Sequence, residues 1–202
     1  MRENYMRLAM ELALKGGNRV SPNPLVGAVI VKDGEIIGQG YHEEYGGPHA
    51  EINALRSADS SPTGATMYVT LEPCCHHGKT PPCTEALIRS GISRVVVGAK
   101  DPNPLVAGRG MEILRESGIS VEMSELESEC EALNRIFFHY IRTGTPYVVM
   151  KYAMTLDGKT ATSSGRSRWI SGEVSRENVH RTRNMLTAIM TGSGTVLADD
   201  PE

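Results

Sequence analysis

The sequence predicts an α/β protein in three layers: a mixed sheet of five strands with helices on both faces, followed by a second unit. Two observations predict it. Short β-branched runs alternate with segments of helical period, and that alternation builds a parallel or mixed sheet covered by helices. Ahead of the alternation, Asp33-Gly34 separates two apolar runs, which reads as a tight hairpin.

The elements follow in order. Met6, Ala9, Met10 and Ala13, with Leu8 and Leu12 alongside, recur at helical spacing over residues 5–15, and Gly16-Gly17 stops that helix. Residues 25–31 and 35–38 are the hairpin strands. Residues 48–58 form a helix opened by Pro48, and 66–71 a strand. Pro81-Pro82 introduces a helix continuing through 84–90, closed by Gly91. Residues 93–99, centred on Val95-Val96-Val97, form a buried strand, 108–116 a helix, and 119–122 the fifth strand. Residues 125–142 read as one helix whose Glu125, Glu127, Glu129 and Glu131 form a solvated face. Thr143-Gly144-Thr145-Pro146 then breaks the pattern, dividing the chain into domains of residues 1–145 and 146–202. Beyond the break, 147–151 and 188–190 are expected to be strands.

Composition excludes several classes. A net charge of −3 lacks the basic surface that nucleic acid or an anionic membrane demands. No apolar run approaches the roughly 18 residues of a membrane span, and Met1-Arg2-Glu3-Asn4 leads into an amphipathic stretch unlike a signal peptide. The expectation is a cytoplasmic protein without nucleic-acid or membrane partners. Cys74, Cys75 and Cys83 crowd together while Cys130 stands alone; clustered thiols in a reducing compartment point to a metal or to catalysis.

Two short motifs supply the chemistry: His49-Ala50-Glu51, and Pro73-Cys74 with Cys83 beyond it. One His and two Cys fill three positions of a tetrahedral zinc and leave the fourth to water. Zinc lowers the pKa of that water, and Glu51, a carboxylate outside the ligand set, is the candidate proton shuttle. Residues two apart do not share a helix face, so His49 and Glu51 converge only at a helix end. Cys75, His76 or His77 can instead supply a fourth protein ligand, which would make the site structural. Cys130 reads as an apolar filler, and His139 and His180 stand without companions.

These residues resemble the zinc-dependent nucleoside deaminase superfamily, whose signature pairs H-x-E with P-C-x-x-C. Here eight residues, Cys75 to Pro82, replace the usual two between the cysteines. With Asn23-Pro24-Leu25-Val26-Gly27 and the run from Asp101 to Gly108, that insertion resembles the bifunctional deaminase/reductases of riboflavin biosynthesis across essentially the whole chain. The resemblance implies a cytidine-deaminase-like first domain holding one zinc per subunit on His49, Cys74 and Cys83. It implies hydrolytic deamination of a diamino-hydroxy-pyrimidine carrying a phosphoribosylamino group, with Glu51 moving protons. Asn23, His42, His76, Lys79 and Thr80 would hold base and ribose phosphate, and Asp101 and Asn103 the ribose hydroxyls. For His42 a structural role is the competing reading.

From Tyr147 the chain resembles the start of the same family's NADP-dependent reductase domain, a dihydrofolate-reductase-like α/β fold. The matching residues are Lys151 to Lys159, Ser167-Arg168-Trp169-Ile170-Ser171, and Thr191 to Val196 leading to Asp199. The resemblance places Ala153, Trp169, Thr195 and Asp199 at NADPH, and Lys151, Ser167 and Arg183 at the substrate. Arg166, Arg168, Arg176, Arg181 and Arg183 make the stretch locally basic, suited to phosphates or simply a solvated helix face. The family also implies a homo-oligomer acting on a small molecule. Deaminases of cytidine, guanine or tRNA, and an idle zinc- or nucleotide-binding module, are the rivals; Glu51 distinguishes an enzyme from the last.

Overall fold

A computed structural model describes residues 2–78, 81–104 and 106–200. The chain divides into two compact units, Met1–Tyr147 and Val148–Glu202.

In the first unit α1 (Arg2–Leu14) leads to the hairpin β1 (Gly27–Lys32) and β2 (Glu35–Tyr41). Asp33 and Gly34 both take positive φ, 51° and 86°, the backbone that a two-residue hairpin turn requires. Then follow α2 (Ala50–Arg56), β3 (Thr66–Leu71), α3 (Cys83–Ser90), β4 (Arg94–Ala99), α4 (Arg109–Glu116) and β5 (Ser120–Met123). The sheet order is β2-β1-β3-β4-β5. Strand β1 pairs antiparallel with both β2 and β3, whereas β3–β4 and β4–β5 are parallel. The sheet is mixed, as the hairpin followed by strand–helix alternation predicts.

Successive strand side chains point to opposite faces, and two cores result. Ile30, Met67, Val69, Val95 and Val97 pack with Ala50 and Ala54 of α2, Leu87 of α3, and Met111 and Leu114 of α4. Val29, Tyr68 and Val96 face the other way, onto Met6, Ala9 and Leu12 of α1, Cys130 and Phe138. Each fully buried Leu or Met contributes about 1.5–3 kcal/mol of apolar transfer, so helices α2 and α3 are anchored through Ala54 and Leu87 while their N-terminal residues remain available for chemistry.

Two glycines set how closely the site's elements approach. A Cβ on Gly40 would stand 2.3 Å from the Ala54 nitrogen and 2.6 Å from the Ala50 carbonyl, so α2 lies backbone-on-backbone against β2. A Cβ on Gly110 would stand 2.2 Å from the Pro73 carbonyl, beside Cys74.

The predicted single helix over 125–142 is instead two, α5 (Glu127–Leu133) and α6 (Arg135–Thr143). Between them sits Asn134, 4% exposed, whose side-chain oxygen accepts from the Leu25 N–H (2.8 Å) and whose amide donates to the Leu25 carbonyl (2.8 Å). Its side chain serves a distant backbone, and the helix breaks where it does so. Glu125, Glu127 and Glu129 are exposed as expected, and Glu131 pairs with Arg142 at 2.9 Å.

In the second unit the described residues form two helices, α7 (Glu173–Asn184) and α8 (Ser193–Asp199), with no buried residue in either. The strands expected at 147–151 and 188–190 are irregular. A strand exists through its ladder of neighbours, and none of the described residues of this unit pairs with Val148-Val149-Met150 or Ala188-Ile189-Met190. Within this unit the expected α/β pattern is met only by its helices.

Candidate active site and metal centre

The site lies at the carboxyl end of β3 and β4, where β1 begins and β2 ends, because β1 runs antiparallel to β3. Open α/β sheets bind ligands at strand carboxyl ends. Three segments converge there. His49 is the extended residue immediately before α2, Cys83 is the first residue of α3, and Cys74 lies in the loop after β3. The predicted placement of His49 and Cys83 at helix entries is what the chain adopts.

Nδ1 of His49 is 3.5 Å from Sγ of Cys74 and 3.3 Å from Sγ of Cys83. The three donor atoms all lie within 4.8 Å of one another. Bond lengths of about 2.0–2.1 Å to nitrogen and about 2.3 Å to sulfur separate tetrahedral N and S ligands by about 3.6 Å, so the donor set fits zinc. Among the described residues the group is these three alone, which fits a centre with one open position. His77, a rival fourth ligand, approaches Glu85 instead (3.8 Å); His76 is exposed and Cys75 half-buried outside the cluster.

Electrostatics favour thiolate at Cys74. Hydrogen bonds from Cys83 and His49 hold its thiol down, to about 4, and the Cys83 backbone N–H donates to the same sulfur at 3.3 Å. Cys83 is pushed up by that shared hydrogen bond and by burial. Hydrogen bonding to Cys74 raises the His49 imidazole. Glu51, 3% exposed in the first turn of α2, has its carboxyl pushed up to about 7 by burial and by the neighbouring Cys74. A carboxyl poised near neutrality can take and return a proton.

His42 is 2% exposed and both ring nitrogens are engaged. Nδ1 lies 3.0 Å from the Pro48 carbonyl, which can only accept, so that nitrogen carries the proton and Nε2 accepts from the Asn23 amide at 3.1 Å. Burial lowers its pKa, and its ring stands edge-on to His49 at 5.3 Å. Asp101 and Asn103 are half-buried; the Asn103 N–H donates to the Asp101 carboxylate at 2.8 Å, and burial raises the Asp101 carboxyl. Lys79 and Thr80 lie outside the described residues.

Sequence reasoning missed Glu72. Buried at 4% exposure between β3 and Cys74, its carboxylate accepts N–H bonds from Asp101, Gly108, Gly110 and Met111. The available signal was a charged residue directly after an apolar strand and two positions before Cys74.

The comparisons extend this geometry. The family described as cytidine and deoxycytidylate deaminase zinc-binding region matches residues 1–99, and the RibD C-terminal domain family matches 146–202. Riboflavin biosynthesis protein RibD of Actinobacillus pleuropneumoniae is 59% identical over 98% of this chain and 53% of its own length. That of Aquifex aeolicus is 54% identical over 98% of this chain and 56% of its own. The chain is similar to RibD proteins over 98% of its length. It spans about half the length of these curated RibD relatives. A crystal structure of a diaminohydroxyphosphoribosylaminopyrimidine deaminase/5-amino-6-(5-phosphoribosylamino)uracil reductase from Thermotoga maritima matches with TM-score 0.94 and 52% identity, over 98% of this chain and 57% of that one. The first unit therefore has the cytidine-deaminase-like fold expected of RibD.

Residues of the RibD C-terminal match are less gathered. Lys151, Ser167, Trp169, Arg183, Thr195 and Asp199 are exposed and Ala153 is half-buried. Ser167 and Trp169 precede α7, Arg183 closes it, and Thr195 and Asp199 lie on α8. Arg176 stacks over Trp169, 4.1 Å from the ring centre, and Arg181 pairs with Glu177 along α7.

Proposed function

We propose that residues 1–145 form a zinc-dependent deaminase converting 2,5-diamino-6-(5-phosphoribosylamino)pyrimidin-4-one and water to 5-amino-6-(5-phosphoribosylamino)uracil and ammonia. The observation that carries the reading is Glu51, a buried carboxyl with its pKa near 7, set beside a three-donor His/Cys/Cys cluster. A structural zinc site has no use for such a group.

His49, Cys74 and Cys83 hold the metal. Zinc in that set supplies Lewis acidity and an open position at which water becomes acidic near neutral pH. The attacking water gives up two protons, and Glu51 takes them in turn, delivering one to the ring nitrogen beside the amine-bearing carbon and one to the departing amine, which leaves as ammonia, so the carboxyl ends as it began. Low exposure around Glu51 keeps competing solvent away. His42 fixes the Asn23 amide through its bare Nε2, which orients Asn23 toward the pyrimidine. His76, Lys79 and Thr80 of the insertion, together with Asp101 and Asn103, hold the phosphoribosyl group.

Residues 146–202 belong in this reading to an NADP-dependent reductase domain, with Ala153, Trp169, Thr195 and Asp199 toward NADPH and Lys151, Ser167 and Arg183 toward the sugar. The substrate is a small molecule and the protein a cytoplasmic homo-oligomer. No helix among the described residues is long and apolar enough to cross a membrane. The test is ammonia release by the zinc-loaded chain from the phosphoribosylamino pyrimidine, run beside cytidine and guanine. Release from the first alone is expected; release from cytidine or guanine alone overturns the substrate assignment.

A further inference from the structure

Glu72 has no part in metal binding or proton transfer, yet its carboxylate gathers donors from both ends of the connection between β4 and α4. Oε2 accepts from the Asp101 N–H at 3.2 Å and the Gly108 N–H at 2.9 Å. Oε1 accepts from the Gly110 N–H at 3.0 Å and the Met111 N–H at 3.4 Å. Gly108, Gly110 and Met111 belong to the opening of α4, whose first N–H groups lack partners within the helix. The carboxylate of another element supplies those partners. Its own backbone is fixed by the Glu72 N–H bond to the Ala99 carbonyl at 2.9 Å. Close approach reinforces the arrangement, because Gly110 rests against the Pro73 carbonyl. One side chain thus ties the strand that delivers Cys74 to the loop that carries Asp101 and Asn103.

We propose that Glu72 is a positioning residue for substrate recognition: it holds Asp101 and Asn103 in register with the metal ligands so that the ribose phosphate and the pyrimidine are engaged together. This rests on the deaminase reading above. A carboxylate is acceptor-only, which four converging N–H groups require; glutamine at this position turns an amide N–H against two of them.

The test uses the zinc-loaded chain and the phosphoribosylamino pyrimidine. Glu72→Gln is expected to keep its zinc and raise KM about 10-fold, as a loop competent about a tenth of the time would, with kcat changed less than about 3-fold. Amides of Gly108, Gly110 and Met111 should exchange faster while those of β3 do not. Glu72→Asp keeps the charge one methylene short and should give an intermediate KM; it carries the test if the Gln variant does not fold. Unchanged KM in the folded variants, or kcat falling in step with zinc content at constant KM, overturns the proposal. Failure of the deaminase reading is distinguishable, since it appears as a zinc-loaded wild-type chain that releases no ammonia, and it overturns this proposal with it.

Discussion

Nδ1 of His49 lies 3.3 Å from Sγ of Cys83, although 34 positions separate them in the chain. They meet because α2 and α3 pack on the same face of the sheet and both present their first residues to its carboxyl end. Nothing between the two residues needs to bend toward the metal. Alternation of strands and helices brings the donors together, and the apolar residues deeper in each helix hold them there.

Replacing one donor should therefore empty the site without dissolving the fold. Cys83→Ala leaves Leu87 and the rest of the α3 core untouched. Elemental analysis is expected to find about one zinc per wild-type chain and most of it lost from the variant. Full zinc in Cys83→Ala would remove that residue from the ligand set.

Glu51 makes no bond to the metal in this assignment, so its removal separates binding from chemistry. Glu51→Gln is isosteric and should retain zinc while ammonia release falls by at least about 100-fold, the scale of a lost general acid/base. Near-normal turnover with zinc in place would end the proton-shuttle role.

The His49/Cys74/Cys83 cluster and the buried Glu51 beside it were legible because the pattern depends on residue type and spacing: His-x-Glu before a helix and a Cys at the entry of another. Every strand of the first unit was legible too, since β-branched runs between glycines and prolines admit little else. What stayed hidden depends on partners distant in sequence. Asn134 reads as an unremarkable residue inside an acidic helix until Leu25 is seen across from it. Glu72 reads as a polar residue ending a strand until four N–H groups from positions 101–111 converge on it. The runs at 147–151 and 188–190 have strand composition, but a strand also needs a neighbour, which composition does not reveal.

Asn134 yields a stability prediction. Asn134→Ala strands the Leu25 N–H and carbonyl in a buried place at once. Two unsatisfied groups at about 1–3 kcal/mol each should cost about 2–6 kcal/mol, measured as a lower urea midpoint at unchanged m. Glu125→Gln, on the exposed face, should stay within about 0.5 kcal/mol. Equal midpoints for the two variants would contradict the role assigned to the Asn134 bonds.

Cys130 offers a pH-dependent test of the core. Burial pushes its thiol up to about 12 from an ordinary value near 9. The unfolded chain loses this proton first, so its contribution to stability is full below about pH 9 and is lost as pH climbs toward 12. At pH 8 the native thiolate fraction is about one in ten thousand. Iodoacetamide at that pH should therefore label half-buried Cys75 in the native zinc-loaded protein and reach Cys130 only in urea. Native labelling of Cys130 at the rate of Cys75 would show that it does not sit in the core.

The remaining prediction concerns the second unit. A dinucleotide crevice is assembled at strand ends, and the described residues of Val148–Glu202 form helices without strands. Trp169, Thr195 and Asp199, the residues expected at NADPH, are exposed rather than enclosed. His49, Glu51, Cys74 and Cys83, by contrast, all lie within the first unit. This chain should therefore release ammonia from the phosphoribosylamino pyrimidine while NADPH supplied in the same mixture is not consumed. Both signals are followed in one reaction, ammonia by a coupled assay that does not use nicotinamide and NADPH by its absorbance. Stoichiometric NADPH oxidation would mean that these exposed residues already form a working cofactor site, and that the division of labour between residues 1–145 and 146–202 is drawn in the wrong place.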